Sequence, residues 1–263
     1  MSAVIGSVLS NVDYFLLVLF RVGGLVFTSP VFGRVTVPVR VKTGFTAAVS
    51  FLFFVVIPPA SRIEYNSLIG FALLCASELL IGVVLAFATN VFFAINYIAG
   101  QLIDMQIGFG IVNVYDIQNN TQIPMVGNLT NLVMLIVFFS VNGHHRLIQI
   151  VNITLLKLPV GNLVFRPEIG LVALEVFVMS FTLAVMVALP VIASGLIIEI
   201  AFGVLIRTVP QINMFVVGIP VKLFIGFLIM VVMIPAFVNF SGRIFDEMFM
   251  GIEKMFAAFM VST

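Results

Sequence analysis

"LIGFALLCASELLIGVVLAFATNVFFAINYIA" runs from Leu68 to Ala99 with one carboxylate, Glu78, and no basic residue. A helix needs about 20 mostly apolar residues to cross a bilayer, and this run exceeds that. A strand of a membrane barrel is instead about ten residues of alternating polarity. Leu79 to Phe87 does not alternate. Lipid offers no partner to an open sheet edge, whereas a helix satisfies its own backbone. The stretch therefore predicts a helix and sets the class of the chain as all-α and polytopic in a membrane.

Composition agrees along all 263 residues. Hydrophobic residues make up 62% and charged residues 9%, against about 45–50% and about 25% in a soluble domain. Mean hydropathy is +1.28. The net charge of +1 and the lack of a basic stripe speak against a nucleic-acid partner. Cys75 is the single cysteine, which leaves no internal disulfide and no thiolate metal cluster. It is expected as a small buried hydrophobe. No basic segment precedes the first apolar run, so no cleavable signal peptide is expected.

Outward from Leu68–Ala99, further apolar runs appear. Tyr14 to Phe32 holds Arg21 and Gly23-Gly24. Thr43 to Ile57 is stopped by Pro58-Pro59. Val126 to Val141 extends further if Asn142-Gly143 is passed through. Ile169 to Leu205 is too long for one simple span and is read as broken by Pro190. Val221 to Phe240 contains Pro235, and a Met- and Phe-rich polar helix is expected from Arg243 to Phe259. The sum is about six or more apolar helices, some broken or not simply spanning. Tyr14, Tyr65 and Tyr97 fall at the ends of these runs, where an amphipathic ring suits a water–lipid boundary.

The basic residues resist a simple drawing. Arg34, Arg40 and Lys42 follow the first run, and Arg146, Lys157 and Arg166 follow the fourth. Both clusters ask for the cytoplasmic side, but strict alternation separates them. Either a segment does not span, or the fifth run crosses twice, or the helices do not sit in lipid in the usual way. Ala72 with Ala76, and Gly82 with Ala86, are small pairs at helical spacing. They allow close backbone approach, within the chain or against other subunits. Pro38-Val39-Arg40-Val41 is faintly echoed by Pro220-Val221-Lys222-Leu223.

Few residues offer chemistry. Gly108-Phe109-Gly110 lacks the third glycine of a dinucleotide fingerprint. His144 and His145 are adjacent, a poor geometry for a shared metal. No enzyme, cofactor or metal is expected. Charges within apolar runs are more informative, because each costs about 2.5–3.5 kcal/mol at a helix centre in lipid. Arg21, Glu78, Glu175, Glu199 and Lys222 need partners or a wet cavity. Arg207 lies eight positions after Glu199, on roughly the same helical face, with Gly203 between them. These groups form either an ion or substrate path or a polar seam between helices or subunits. The seam is favoured, because no chain of carboxylates forms a proton relay.

"MQIGFGIVNVYDIQNNTQIP", Met105 to Pro124, is the marked polar interruption. Gly108 and Gly110 let the backbone bend. Asn113, Gln118, Asn119, Asn120, Thr121 and Gln122 bring uncharged hydrogen-bonding groups, with Asp116 the one carboxylate. Met105, Phe109 and Met125 add deformable apolar filling. The stretch fits a wall-lining or plugging loop, and it also fits an ordinary exposed connector.

Several segments resemble signatures of the FliR family of flagellar and type III export-apparatus membrane proteins. They are Pro30-Val31-Phe32-Gly33 with Val37-Pro38-Val39-Arg40-Val41-Lys42, then Gly100-Gln101-Leu102-Ile103-Asp104-Met105-Gln106-Ile107-Gly108-Phe109. Asn142-Gly143-His144 follows, then Arg207 to Phe215 and Gly218-Ile219-Pro220-Val221-Lys222. Order, spacing and length agree across nearly the whole chain. One departure is Asp116-Ile117, where flagellar members often have Asp-Pro.

The resemblance implies a single export-gate domain over residues 1–263, with approximate halves 1–125 and 126–263, shaped like one FliP-like unit fused to one FliQ-like unit. One copy would join several copies of FliP and FliQ in a helical assembly at the bacterial inner membrane, in the flagellar basal body. FlhB would dock there and FlhA would supply the proton-coupled engine. Unfolded rod, hook and filament proteins would be the cargo. The loop built from Met105, Gly108, Phe109, Gly110, Asn113, Asp116, Gln118, Asn119, Asn120, Thr121 and Gln122 would project into the channel and help plug it. A secondary transporter with a midplane site at Glu78, Glu199 and Lys222 is the rival, and a pure assembly scaffold is a third reading.

Overall fold

Long apolar runs without interior turn signals become helices, and their ends fall where the chain supplies stops. A computed structural model describes residues 11–57, 63, 65, 67–109, 124–161, 167–209 and 214–259. Among these residues there are seven helices and no strand: α1 Val12–Thr28, α2 Val39–Val56, α3 Leu68–Ile107, α4 Met125–Ser140, α5 Gly143–Lys157, α6 Glu168–Thr208 and α7 Met214–Ala257. By length and composition, α2, α3, α6 and α7 can each cross a membrane, and α4 with α5 adds a fifth if the two are one broken span. The chain is a polytopic all-α membrane protein.

The helix boundaries have local causes. After α1, the Ser29 hydroxyl accepts from the Val31 and Phe32 amides, both at 3.2 Å. Pro38, extended at ψ 140°, opens α2, and its carbonyl accepts from the Val41 and Lys42 amides. The Lys42 ammonium turns back to the Gly33 carbonyl at 2.8 Å, tying the loop to its helix. Gly108, at φ +99°, ends α3, a backbone state that glycine enters without penalty. Asn142, at φ 57°, separates α4 from α5.

Three expectations change. α6 continues through Pro190 as one helix of 41 residues, not two. α7, with 44 residues, passes both Pro220 and Pro235 and absorbs the separate helix expected from Arg243. Proline removes one hydrogen bond and crowds the preceding turn, but packed neighbours in a membrane bundle re-satisfy the freed groups. Tyr97 lies well inside α3, because that helix runs on to Ile107. Its hydroxyl accepts from the Asn131 amide at 3.0 Å rather than marking an end.

The described residues form two compact units. The first draws on Met1–Val91, Val141–Phe177 and Glu247–Thr263, and the second on Phe92–Ser140 and Val178–Asp246. In the first unit, α1 and α3 meet at glycines. A Cβ on Gly82 would lie 2.1 Å from the Arg21 carbonyl oxygen, and one on Gly24 would lie 2.4 Å from that of Leu79. Gly82 and Ala86 are thus packed within the chain, while Ala72 and Ala76 are exposed on it. Cys75 is buried, and the Tyr14 hydroxyl donates to the Ile57 carbonyl at 3.0 Å.

In the second unit, α3 and α4 repeat the device. A Cβ on Gly100 would lie 2.2 Å from the Gly127 Cα. Above this crossing, the rings of Phe93, Phe138 and Phe245 pack with centroids 5.4 to 6.4 Å apart, at the separation aromatic pairs favour.

Gly82→Ala should lower stability by about 3 kcal/mol, the upper end of overpacking costs, because the new methyl meets backbone that cannot step aside. Gly44→Ala, with nothing within 4 Å of its Cβ, should be neutral or stabilise by about 0.4–1 kcal/mol. Denaturation of the two purified variants in detergent measures the contrast.

Candidate functional site

Two polar constellations interrupt this apolar chain, one in each unit. The first surrounds Arg21, on the buried face of α1, and Glu78, on the buried face of α3. Both side chains are 0% exposed. Arg21 Nε donates to Glu78 Oε2 at 2.5 Å. Arg21 Nη1 donates to the Thr154 and Leu158 carbonyls at 3.0 and 3.1 Å. Those carbonyls lie at the C-terminal end of α5, where the Thr154 carbonyl also accepts from the Leu158 amide at 2.9 Å and the helix dipole favours a nearby cation. Glu78 Oε1 accepts from the Gly161 amide at 2.9 Å, beyond the helix, where φ is +91°. The Glu78 carboxylate therefore has a protein donor on each oxygen, and the arrangement is a knot joining α1, α3 and the end of α5.

The second constellation lies at the stem of the 105–124 stretch, in the second unit. Asp104, in the last turn of α3, reaches the start of α4. Its Oδ2 accepts from the Met125 amide at 2.7 Å, and its Oδ1 from the Val126 amide at 3.3 Å. Pro124, just before α4, offers no side-chain acceptor, so the carboxylate caps this helix from another part of the chain. Negative charge also suits a helix N-terminus.

On its other side the stem meets α6 and α7. Gln106 Nε2 makes a long 3.5 Å hydrogen bond to Glu199 Oε1. The same oxygen accepts from Lys222 Nζ. Gln106 lies against Gly195, where a Cβ would come within 2.5 Å of its Cγ. Ile107 lies against Gly226, where a Cβ would come within 2.7 Å of its Cγ1. Phe109 meets Phe227 edge-on, with centroids 5.4 Å apart. Met105 is exposed. Gly110, Asn113, Asp116, Gln118, Asn119, Asn120, Thr121 and Gln122 lie outside the described residues.

Bacterial export proteins, family 1, match this chain over residues 12–248. The chain is 32% identical over 233 residues to the flagellar biosynthetic protein FliR of Bacillus subtilis (strain 168), covering 86% of this chain and 88% of that one. It is 31% identical over 232 residues to the FliR of Escherichia coli (strain K12), with 88% of each chain covered. It is 29% identical over 249 residues to that of Aquifex aeolicus (strain VF5), covering 93% and 94%. The chain belongs to the FliR family of bacterial export proteins.

Within this FliR-family chain, the central signature and the carboxy-terminal one meet at the loop stem, Gln106 to Phe109 against Lys222 to Phe227. The six charges singled out by sequence divide. Arg21 and Glu78 are buried with each other. Glu199 and Lys222 pair within the second unit, with side chains 43% and 20% exposed. Glu175 pairs with Lys254 at the surface of the chain. Arg207 is exposed in the last turn of α6, and Glu199 takes Lys222 as its partner. Glu78 belongs to one unit and Glu199 with Lys222 to the other, each with its own partners. Asp104 and Gln106 were not singled out as site residues by sequence. The available signal for Asp104 was a carboxylate near the end of one helix and a proline with no capping side chain at the start of the next.

Removing one member of a buried ion pair strands the other charge and costs about 3–5 kcal/mol. Glu78→Gln and Arg21→Met should each lose stability on that scale. The double change Arg21→Met with Glu78→Leu should lose clearly less than the sum of the two single changes. Detergent denaturation of the three variants closes the cycle.

Proposed function

We propose that the chain is a subunit of the flagellar type III protein export gate. It assembles in the bacterial inner membrane with FliP and FliQ as a single copy among several of each. FlhB and FlhA are its neighbours in the basal body, and unfolded rod, hook and filament proteins pass through. The observation that carries this reading is the family match over residues 12–248, with the polar 105–124 stretch rooted on α4, α6 and α7 by named contacts. A protein that only positions and seals needs no catalytic group.

Exposed apolar surface suits a chain set in lipid or packed against other helices. Leu171, Leu174, Val178 and Phe181 on α6 are each half exposed or more, and so are Phe224, Val231 and Val232 on α7. Lipid tails are as apolar as such side chains, so this surface is compatible with partner subunits without selecting them. The transporter reading loses support at Glu78, whose two oxygens are already engaged by Arg21 and Gly161.

The loop from Gly108 to Gln122 seals the resting channel in this reading. Its groups suit that task, being neutral and hydrogen-bonding, with Phe109 as an apolar root. They can close against ions and still yield to a passing chain of any charge.

Native mass spectrometry of the tagged chain, extracted gently from its host membrane, should show one copy with several copies of two smaller membrane proteins. A stable lone or homo-oligomeric species would refute the gate reading. Deleting Gly108 to Gln122 in the assembled complex should raise ion leak across the membrane. An unchanged leak with assembly intact would refute sealing by this loop.

A further inference from the structure

We propose that the second unit holds one acyl tail of a bilayer phospholipid in a groove between α3, α4, α6 and α7. The inference rests on the membrane class of the chain and not on the gate reading.

Between these four helices lies a cavity of about 270 Å³. Its floor includes Val126, Val191 and Phe237, which are buried, and its rim includes Leu129, Met186 and Ile234, which are exposed. All of the lining residues belong to the second unit. None of the lining side chains is charged. Thr130 carries the one hydroxyl, which donates within its own helix, 3.0 Å from the Val126 carbonyl and 3.1 Å from that of Gly127. Pro190 adds a ring to the wall and no amide. A buried water needs two to four polar partners, and an apolar cavity of about 150 Å³ stays dry and takes benzene instead. The larger cavity here offers nothing to a polar ligand and suits hydrocarbon.

Depth points to the source of that hydrocarbon. α6 carries no charge from Val176 to Ile198, and α7 none from Leu223 to Gly242. At 1.5 Å per residue these stretches rise about 35 and 30 Å, close to the roughly 30 Å hydrocarbon core of a bilayer. Glu199 and Lys222 pair at one end of both stretches, within reach of water. Val191 and Met230 in the cavity wall each lie eight residues further in, about 12 Å along the helix. At that depth the surrounding medium is acyl chain.

Size argues against a partner helix as the occupant. The wall runs from Met230 to Phe240 on α7, about 15 Å of rise. An α-helix 10–12 Å across fills about 1,200 Å³ or more over that length, several times the 270 Å³ of the cavity. A single polymethylene chain is far thinner and lies lengthwise between helices. Met186, Met230 and Met233 in the wall are unbranched and soft, so they close around a chain of varied conformation. Left empty, the cavity forfeits dispersion contacts along its whole wall, and a tail restores them. With no charged group in the wall to hold a head group, the site selects the tail and leaves the head at the bilayer surface.

The test uses the full chain in vesicles of its host membrane, in the assembly it forms there. The probe is a phosphatidylcholine with a diazirine at the middle of one tail, added by vesicle fusion. After illumination and digestion, adducts should concentrate on Met230, Met233 and Phe237. The excess over Val231 and Val232, exposed at the same depth of α7, should be about fourfold, because four helices enclose the tail in place of one. Val133→Phe and Val187→Phe each fill part of the cavity. They should bring wall labelling down to the level of Val232 and leave Val232 itself unchanged. The wild-type contrast needs no substitution, so it decides the matter even if both variants misfold. Equal labelling of wall and exposed face would overturn the proposal, as would folded filling variants labelled like wild type. Wall labelling confined to the chain reconstituted alone would also overturn it, since a protein subunit then covers the groove in the native assembly. Labelling by a free fatty acid with the same diazirine, but not by the phospholipid, would overturn the phospholipid as the source.

Discussion

The Arg21–Glu78 pair is the interaction on which the first unit depends. Its geometry follows from two glycines. Gly24 and Gly82 bring the backbones of α1 and α3 into contact, with the Arg21 carbonyl itself against Gly82. At that separation, the guanidinium and the carboxylate one turn away meet at 2.5 Å. A larger residue at the crossing would part the charges, and an unpaired charge would push the helices toward water. Steric fit and ion pairing therefore hold each other in place. The remaining Arg21 contacts recruit the end of α5, so three segments distant in sequence share one polar centre. Arg21 Nη2 alone has no hydrogen-bond partner among the described residues.

The second unit uses its polar groups differently. Asp104 ties α3 to α4 through backbone amides, while Glu199, Lys222 and Gln106 meet where water reaches them. A buried charge pair resists change because opening it leaves charge in a low dielectric. A half-exposed pair is held only weakly. The same residue types thus give a fixed joint in one unit and a yielding one in the other, and exposure decides which.

The apolar runs made the helices legible, since few other structures satisfy a backbone in lipid. Proline misled at Pro190, where a break was expected and α6 instead runs on as one helix. α5 was not foreseen as a helix of its own: "GHHRLIQIVNITLLK" is too mixed in polarity to read as a span. That Arg21 and Glu78 needed partners was clear from sequence. Their identity was not, because they lie 57 positions apart and two of Arg21's three hydrogen bonds go to main-chain carbonyls 133 and 137 positions away. Asp104 was visible only as one letter of a signature. Its capping role depends on a chain reversal that no local pattern encodes.

The same separations set an order on synthesis. Arg21 is made with α1, yet Glu78 is made 57 residues later and the Leu158 carbonyl 137 residues later. At ribosomal speeds of about 5–20 residues per second, the wait is roughly 3–11 s for the carboxylate and roughly 7–27 s for the end of α5. During that interval Arg21 has neither its carboxylate nor its carbonyl partners, so α1 cannot take up its place in the first unit. Folding of the N-terminal region is then coupled to translation of the middle of the chain, and a ribosome that stalls before Glu78 leaves the Arg21 charge without its partner.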